Sequence, residues 1–305
     1  MPLTQNPLFS QAIARRSALP ELANGQTTAF RLLDGAGDGC PGVEIDNYDG
    51  HWVVQTRDVP FPENLRLLPE GCRSVWWKRL DQQDKQAPQC VAGDPPPGPF
   101  AVRELGLNYE IDLTAGYSQG LFLDQRPQRA RMMERIASGQ RVLNLFAYTC
   151  AFSVAAASRG AVTTSVDLSR PYLDWGQRNF SLNRIDPAGH YFCRGDSFEW
   201  LRRFAKQGRT WHGIVVDPPT FSRNAGGKVF RVEQDFPELI GLCLAVLAAD
   251  GWLLASTNHR GLTPARFRQL VEDGAARRRP RAMEPGRMPP DFTGEPYLKS
   301  LWVEA

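Results

Sequence analysis

The chain has 305 residues, 42% of them hydrophobic, a formal net charge of +3 and a sequence pI of about 8.6. That length can bury a large core and leaves room for two domains, which excludes disorder as the dominant state, and the charge permits a nucleic-acid partner without requiring one. Cys40, Cys72, Cys90, Cys150, Cys193 and Cys243 include no Cys-x-x-Cys pair, which argues against a zinc cluster and a disulfide scaffold, so no metal is assigned. The first residues lack a basic region followed by an apolar stretch, and the longest apolar run, Leu242 to Ala249, is far too short to span a bilayer. A cytoplasmic protein with no membrane partner is expected.

In chain order, Phe30 to Leu33, Gly42 to Ile45 and His51 to Thr56 read as short strands separated by turn clusters such as Asp34-Gly35-Ala36-Gly37-Asp38-Gly39. They predict a small β-rich N-terminal domain. Gly93-Asp94-Pro95-Pro96-Pro97-Gly98-Pro99 then breaks the composition, since consecutive prolines continue neither a helix nor a central strand. The expected division places the β domain and linker in 1–98 and a second domain in 99–305. Leu107 to Leu113 is expected to form a strand pair, followed by a helix over Gln128 to Ser138. From Arg141 onward, strand-length apolar runs alternate with helical segments. The expected strands are Val142 to Phe146, Thr164 to Asp167, Tyr191 to Arg194, Gly213 to Asp217, Trp252 to Thr257 and Leu298 to Glu304. The expected helices are Phe152 to Arg159, Pro171 to Asn183, Phe198 to Lys206, Glu233 to Ala249 and Pro264 to Glu272, the second with Ser169 as N-cap and Pro171 in its first turn. This rhythm predicts a Rossmann-like, doubly wound α/β domain with parallel strands and crossover helices.

Ligands of such sheets bind outside the carboxyl ends of the strands, and here three successive ends carry acids: Asp167, Asp196 and Asp217. Asp167 stands about twenty residues beyond the first strand–helix turn, the position from which a carboxylate accepts two ribose hydroxyls. Asp196 suits the amino group of adenine. A single Asp at such a place serves equally well as a turn former or helix cap, but three in order favour a nucleoside. A dinucleotide would call for a Gly-x-Gly-x-x-Gly turn, whereas Tyr148-Thr149-Cys150-Ala151-Phe152 has no glycine. A phosphate-free ligand needs no anion cradle, and a sulfonium cation suits acids and aromatic faces, so S-adenosylmethionine is favoured over NAD. Asp217-Pro218-Pro219-Thr220-Phe221 makes a rigid lip that can hold a planar base. Phe122, Tyr148 and Phe221 could stack a splayed-out base, while Phe152, Trp175, Trp200 and Trp211 read as core.

Gly120-Leu121-Phe122-Leu123-Asp124-Gln125-Arg126, Val142-Leu143-Asn144-Leu145-Phe146-Ala147-Tyr148-Thr149, Val166-Asp167-Leu168-Ser169, Asp217-Pro218-Pro219-Thr220-Phe221-Ser222 and Ser256-Thr257-Asn258-His259-Arg260-Gly261 together resemble the bacterial large-subunit ribosomal RNA methyltransferases. The resemblance covers about residues 100 to 305, and the stretch from Arg31 to Asp46 is similar to the β domain that precedes it in that family. It implies a seven-stranded class I methyltransferase domain, S-adenosylmethionine as cofactor and 23S ribosomal RNA as partner, with the oligomeric state unassigned. It also implies a cofactor site of Phe122, Asp124, Arg126, Asn144, Phe146, Tyr148, Thr149, Asp167, Leu168, Ser169, Asp196 and Ser197. Of these, Asn144, Phe146 and Tyr148 would line the methionine side, Asp167 the ribose, and Asp196 with Ser197 the adenine. Asp217, Pro218, Pro219, Phe221 and Asn258 are the implied acceptor and catalytic residues. Cys150-Ala151 departs from the glycine pair or Gly-Ser common at that place.

The family has a cytosine-C5 branch and a guanine-N7 branch, and the Asp-Pro-Pro-Thr-Phe-Ser and Ser-Thr-Asn-His-Arg-Gly segments resemble the second, the C-terminal half of a fused double methyltransferase. Chemistry bears on the same choice. Cytosine C5 is a poor nucleophile and needs a cysteine adding to C6, which the cytosine branch carries just after the fifth strand, where this chain has Ser256-Thr257-Asn258. Guanine N7 already exposes a lone pair, so positioning can suffice. Cytosine-C5 transfer, a small-molecule or protein acceptor on the same fold, and a non-catalytic RNA-binding or assembly role stay open. Cys150 and Cys193 read as small buried hydrophobes. Arg277-Arg278-Arg279-Pro280-Arg281, with Arg266, Arg268 and Arg287, reads either as a phosphate-contacting loop or as a solvated charged face.

Overall fold

The computed structural model describes residues 3–82, 86–116, 118–223 and 229–305, with the side chains of 221–223 and 229 outside the description. The chain folds as two compact units, Met1–Arg126 with Met288–Pro296, and Pro127–Arg287 with Tyr297–Ala305.

The first unit begins with α1 (Pro7–Ser17) and a single turn, α2 (Pro20–Ala23). Asn6 caps α1 by accepting the Leu8 N–H at 3.0 Å, and Pro7 fills the first turn, where an N–H would go unused. β1 (Ala29–Asp34), β2 (Val43–Tyr48), β3 (His51–Thr56), β4 (Ser74–Arg79) and β5 (Gln89–Gly93) pair in that order, antiparallel except for the parallel pair β3–β4. Phe9, Ala12, Leu33, Ile45, Val54, Leu65 and Val75 form the core between helix and sheet. The strand pair expected within Leu107 to Leu113 is instead a hairpin of β6 (Phe100–Glu104) and β7 (Leu107–Ile111). Its two-residue turn, Leu105-Gly106, has positive φ at both positions (53° and 76°), the mirror-image geometry that matches strand twist.

The compact first unit therefore extends to Arg126, not residue 98, and takes in Met288–Pro296. Charge explains the addition. Asp291 is fully buried, binds the Arg126 guanidinium, and accepts the Arg31 N–H at 2.8 Å, while its carbonyl accepts Arg16 at 2.6 Å. Asp38 takes Arg15, Arg16 and the Thr293 hydroxyl; burial opposes its charge, but Arg16, the Asp34 N–H and Thr293 hold its carboxyl below the ordinary value. Gly294 N–H reaches Asp34 at 2.7 Å, and Arg31 lies over the Phe292 ring.

The second unit opens with α3 (Arg126–Arg135), whose first residue belongs to the other unit. It continues as β8 (Arg141–Leu145), α4 (Ala151–Ala157), β9 (Val162–Asp167), α5 (Arg170–Leu182), β10 (Tyr191–Arg194), α6 (Ser197–Lys206) and β11 (Trp211–Val216). The antiparallel strands β12 (Phe221–Arg223) and β13 (Val229–Arg231) follow, then α7 (Val232–Ala245), β14 (Leu247–Thr257), α8 (Pro264–Gly274), β15 (Ala282–Pro285) and β16 (Lys299–Glu304). The seven-stranded sheet runs β10-β9-β8-β11-β14-β16-β15, its first five strands parallel and β16 antiparallel to both neighbours. Strand order reverses between β8 and β11, so the crevice for a ligand lies above their carboxyl ends. Side chains of α6, α7 and α8, among them Phe204, Phe236 and Phe267, share one core with Leu145, Val216 and Leu253, whereas α4 and α5 pack on each other and on β9.

The helix expected to reach Ala249 stops at Ala245, and β14 starts at Leu247. Arg278 holds that junction. Its guanidinium donates to the carbonyls of Leu244 (3.0 Å), Leu247 (2.6 Å), Ala248 (2.6 Å) and Ala249 (3.1 Å). The arginine run is thus divided, with Arg278 turned inward, Arg281 paired with Asp250 at 3.3 Å, and Arg277 and Arg279 exposed. Arg278→Ala is expected to cost about 2 kcal/mol in urea unfolding, because charged donors to half-buried carbonyls are lost together. Arg277→Ala is expected to be neutral within about 0.5 kcal/mol.

Candidate active site

The loop leaving β8 departs from ordinary backbone at alternate residues: φ is 55° at Phe146, 48° at Tyr148 and 61° at Cys150, none of them glycine. Each such residue costs roughly 1–2 kcal/mol, so the surroundings must impose the conformation. Ala147 N–H bonds Val166 O at 3.0 Å, Tyr148 N–H bonds Asp167 Oδ2 at 2.8 Å, and Asn179 Nδ2 of α5 bonds Thr149 O at 2.9 Å. Cys150 starts α4, is wholly buried, and packs its thiol against Gly176 of α5. The loop thus makes a glycine-like turn without glycine. Asn179 and Gly176 are the residues a strand-end reading misses, since their signal lies in mid-helix.

At the end of β9, Asp167 accepts Tyr148 N–H and Ser169 N–H, each at 2.8 Å, as well as the backbone of Leu168. Burial raises its carboxyl above the ordinary value, and these three N–H groups pull against that shift. A carboxylate has roughly four acceptor positions, so one pointing away from the backbone suits a hydroxylated ligand. Ser169 caps α5 by accepting Tyr172 N–H, with Pro171 in the first turn, as its sequence predicts. Leu168 is exposed. The Tyr148 and Tyr172 rings meet edge-on at 4.6 Å, and Trp175 lies 6.4 Å from Tyr148.

At the end of β10, Asp196 Oδ1 accepts Phe198 N–H (2.9 Å) and Glu199 N–H (3.2 Å), capping α6, and Ser197 behind it is buried. The preceding Gly195, with φ of 146°, admits no side chain, because a Cβ would stand 2.8 Å from Trp200 Nε1. At the switch point, Asp217 is half-buried, Pro218 buried and Pro219 exposed. Thr220 Oγ1 donates to Asn258 Oδ1 at 3.0 Å, which joins the carboxyl ends of β11 and β14. Phe221 begins β12 opposite Arg231, and its side chain lies outside the description.

Two expected site residues are committed elsewhere. Asn144 is buried in the sheet and donates to Ser153 Oγ at 3.0 Å, which in turn meets Ser165 at 2.8 Å, so it braces β8 and α4. Arg126 is buried in the first unit on Asp291. Phe122, 45% exposed, and buried Asp124 also belong to the first unit, while Phe146 packs toward Phe230 with centroids 6.1 Å apart. Thr149 is buried, and its carbonyl accepts from Asn179 Nδ2. Burial pushes the Cys150 thiol up to about 12 and raises Cys193, so both stay protonated near neutral pH. Phe152, Trp175 and Trp211 are buried as expected, and Trp200 is half-buried.

The sheet order and the acids at its carboxyl edge define a Rossmann-like class I methyltransferase fold. Residues 73–296 match the family model described as S-adenosylmethionine-dependent methyltransferase. The chain belongs to that family, whose cofactor is S-adenosylmethionine. It is 39% identical over 236 residues to ribosomal RNA large subunit methyltransferase K of Neisseria meningitidis, covering 72% of this chain and 63% of that protein. It is 31% identical over 315 residues to a ribosomal RNA large subunit methyltransferase of Deinococcus radiodurans, covering 96% of this chain and 77% of that one. The crystal structure of SMU.776 complexed with SAH aligns with a TM-score of 0.86 at 30% identity, over 98% of this chain and 80% of the other. The chain spans less than two thirds of the length of several curated relatives, the Neisseria protein among them.

Proposed function

We propose that this chain transfers a methyl group from S-adenosylmethionine to a base of large-subunit ribosomal RNA, at guanine N7 and without a covalent enzyme intermediate. The names carried by its relatives support the RNA acceptor. The observation that carries the choice of atom is the end of β14, where Ser256, Thr257 and Asn258 stand instead of a thiol.

In this reading Asp167 binds the ribose hydroxyls, Asp196 and Ser197 flank the adenine, and Phe146, Tyr148, Thr149, Leu168 and Ser169 shape the walls. Asn144 acts indirectly, through the sheet. The bound cofactor supplies an electrophilic methyl on a sulfonium. Asp217, Pro218, Pro219 and Phe221 form the rigid lip for the target base. With its oxygen occupied by Thr220, Asn258 offers its Nδ2 as a donor, matching O6 beside N7 on the edge of guanine. N7 carries no proton, so no base is required; alignment of its lone pair with the methyl carbon is the task of the site. Cys150 and Cys193, both held protonated, supply no thiolate for cytosine chemistry.

The test is methyl transfer from labelled cofactor to ribosomal RNA and to large subunits prepared from cells lacking the gene, followed by nucleoside mass analysis. The expected product is 7-methylguanosine. 5-Methylcytosine would overturn the choice of atom, and no incorporation into either substrate would overturn the RNA acceptor.

A further inference from the structure

We infer that Gly176 is a positioning residue for the cofactor loop, and that Cys150 and Gly176 act as one size-matched pair that keeps this loop in its left-handed conformation. The inference rests on reading residues 146–150 as the loop against which S-adenosylmethionine lies.

Phe146, Tyr148 and Cys150 all have positive φ and all carry a Cβ, which favours right-handed or extended backbone instead. Each residue from 147 to 150 is therefore held from outside. Val166 holds Ala147, Asp167 holds Tyr148, and Asn179 holds the carbonyl of Thr149. Cys150 alone has a steric hold. Its side chain occupies the notch that Gly176 leaves in α5, where an added Cβ would stand 2.4 Å from Cys150 Sγ and 2.8 Å from Cys150 Cβ. No Cβ tolerates either distance, so residue 176 can gain volume only if residue 150 loses it. Asn179 follows three residues later on the same helical face, so the notch and the carbonyl clamp are set together by α5. The buried, protonated thiol works as a plug, not as a nucleophile. The departure from glycine at position 150 is thus compensated by a glycine from another element.

The test is calorimetric titration of S-adenosylhomocysteine into wild type, Cys150→Gly, Gly176→Ala, the double variant and Asp167→Ala, each well below its own melting midpoint. Gly176→Ala is expected to weaken binding by about tenfold or more when residue 150 is cysteine, and by less than about threefold when it is glycine, because contacting sites are not additive. If Gly176→Ala alone does not fold, recovery of folded, binding-competent protein in the double variant supports the pair. A double variant that stays unfolded overturns it. Equal losses in both backgrounds also overturn the pair. Loss of binding in Asp167→Ala with none in Gly176→Ala refutes the pair alone, whereas full binding in Asp167→Ala refutes the reading of the site.

Discussion

Asp167→Ala is expected to lower the affinity for S-adenosylhomocysteine about 100-fold or more, because two charge-assisted hydrogen bonds at roughly 1.5 kcal/mol or more each are lost together. The same change strips the acceptor from Tyr148 and Ser169 N–H, so the loop after β8 loosens as well. Asp167→Asn, which keeps one acceptor oxygen, is expected to lose less. The pH dependence has two opposite signs at this residue. On the proposed reading binding needs the carboxylate, so the rise in melting midpoint produced by S-adenosylhomocysteine is expected to shrink as pH falls through a value above the ordinary Asp range. In the free protein the raised carboxyl is a linkage term of the other sign: its contribution to stability is present below the unfolded value and is lost as pH rises through the folded one. Thermal melts with and without ligand, from the ordinary Asp range up to neutral pH, separate the two, and a ligand-induced shift that stays constant on acidification would remove Asp167 from the site.

Asp291→Ala is expected to destabilise the first unit by about 3–5 kcal/mol, the usual result of removing one partner from a buried pair. Among the described residues the buried Arg126 would keep the ion pair with Glu21, 3.9 Å away, and the Arg31 N–H would lose its acceptor. Hydrogen exchange resolved to β1 and β2 reads this directly, with faster exchange there than in β8 or β9. Arg126→Met combined with Asp291→Leu is expected to recover part of the loss, since a well-packed apolar replacement of a buried ion pair is often tolerated. Unchanged exchange in Asp291→Ala would deny the segment Met288–Pro296 its role in the first unit.

The sheet of the second unit was legible because β9, β10 and β14 end on polar residues and α5, α6 and α8 begin on side-chain caps. Tyr191–Arg194 and His51–Thr56 match their expected bounds, and Ser169 and Asp196 both cap helices, the alternative use that any lone Asp or Ser at such a place allows. Leu242 to Ala249 misled because an unbroken apolar run has no period to distinguish buried helix from buried strand, and the feature that divides it, Arg278, is some thirty residues away. β4 was passed over, although Ser74-Val75-Trp76-Trp77 has strand composition, because its partner β3 is parallel and no hairpin turn announces it. The Asn6-Pro7 start of α1 carried a capping signal that a β-only reading discarded. The place of Asp167 at the end of β9 was readable from spacing. The commitments of Asn144 to Ser153 and of Arg126 to Asp291 were not, because both depend on partners brought near only by folding.

The threading of Met288–Pro296 through the first unit has a consequence for synthesis. Arg16, Arg31 and Arg126 leave the ribosome with their side chains destined for burial, but Asp291 follows Arg126 only about 165 residues later, roughly 10–30 s at bacterial elongation rates. The first unit therefore stays incomplete until most of the second has been made. A nascent chain, or one truncated before residue 288, leaves Arg126 without the Asp291 carboxylate, the Arg31 N–H without its acceptor and Arg16 without the Asp291 carbonyl, and only a chain made through residue 296 holds all the segments of the first unit.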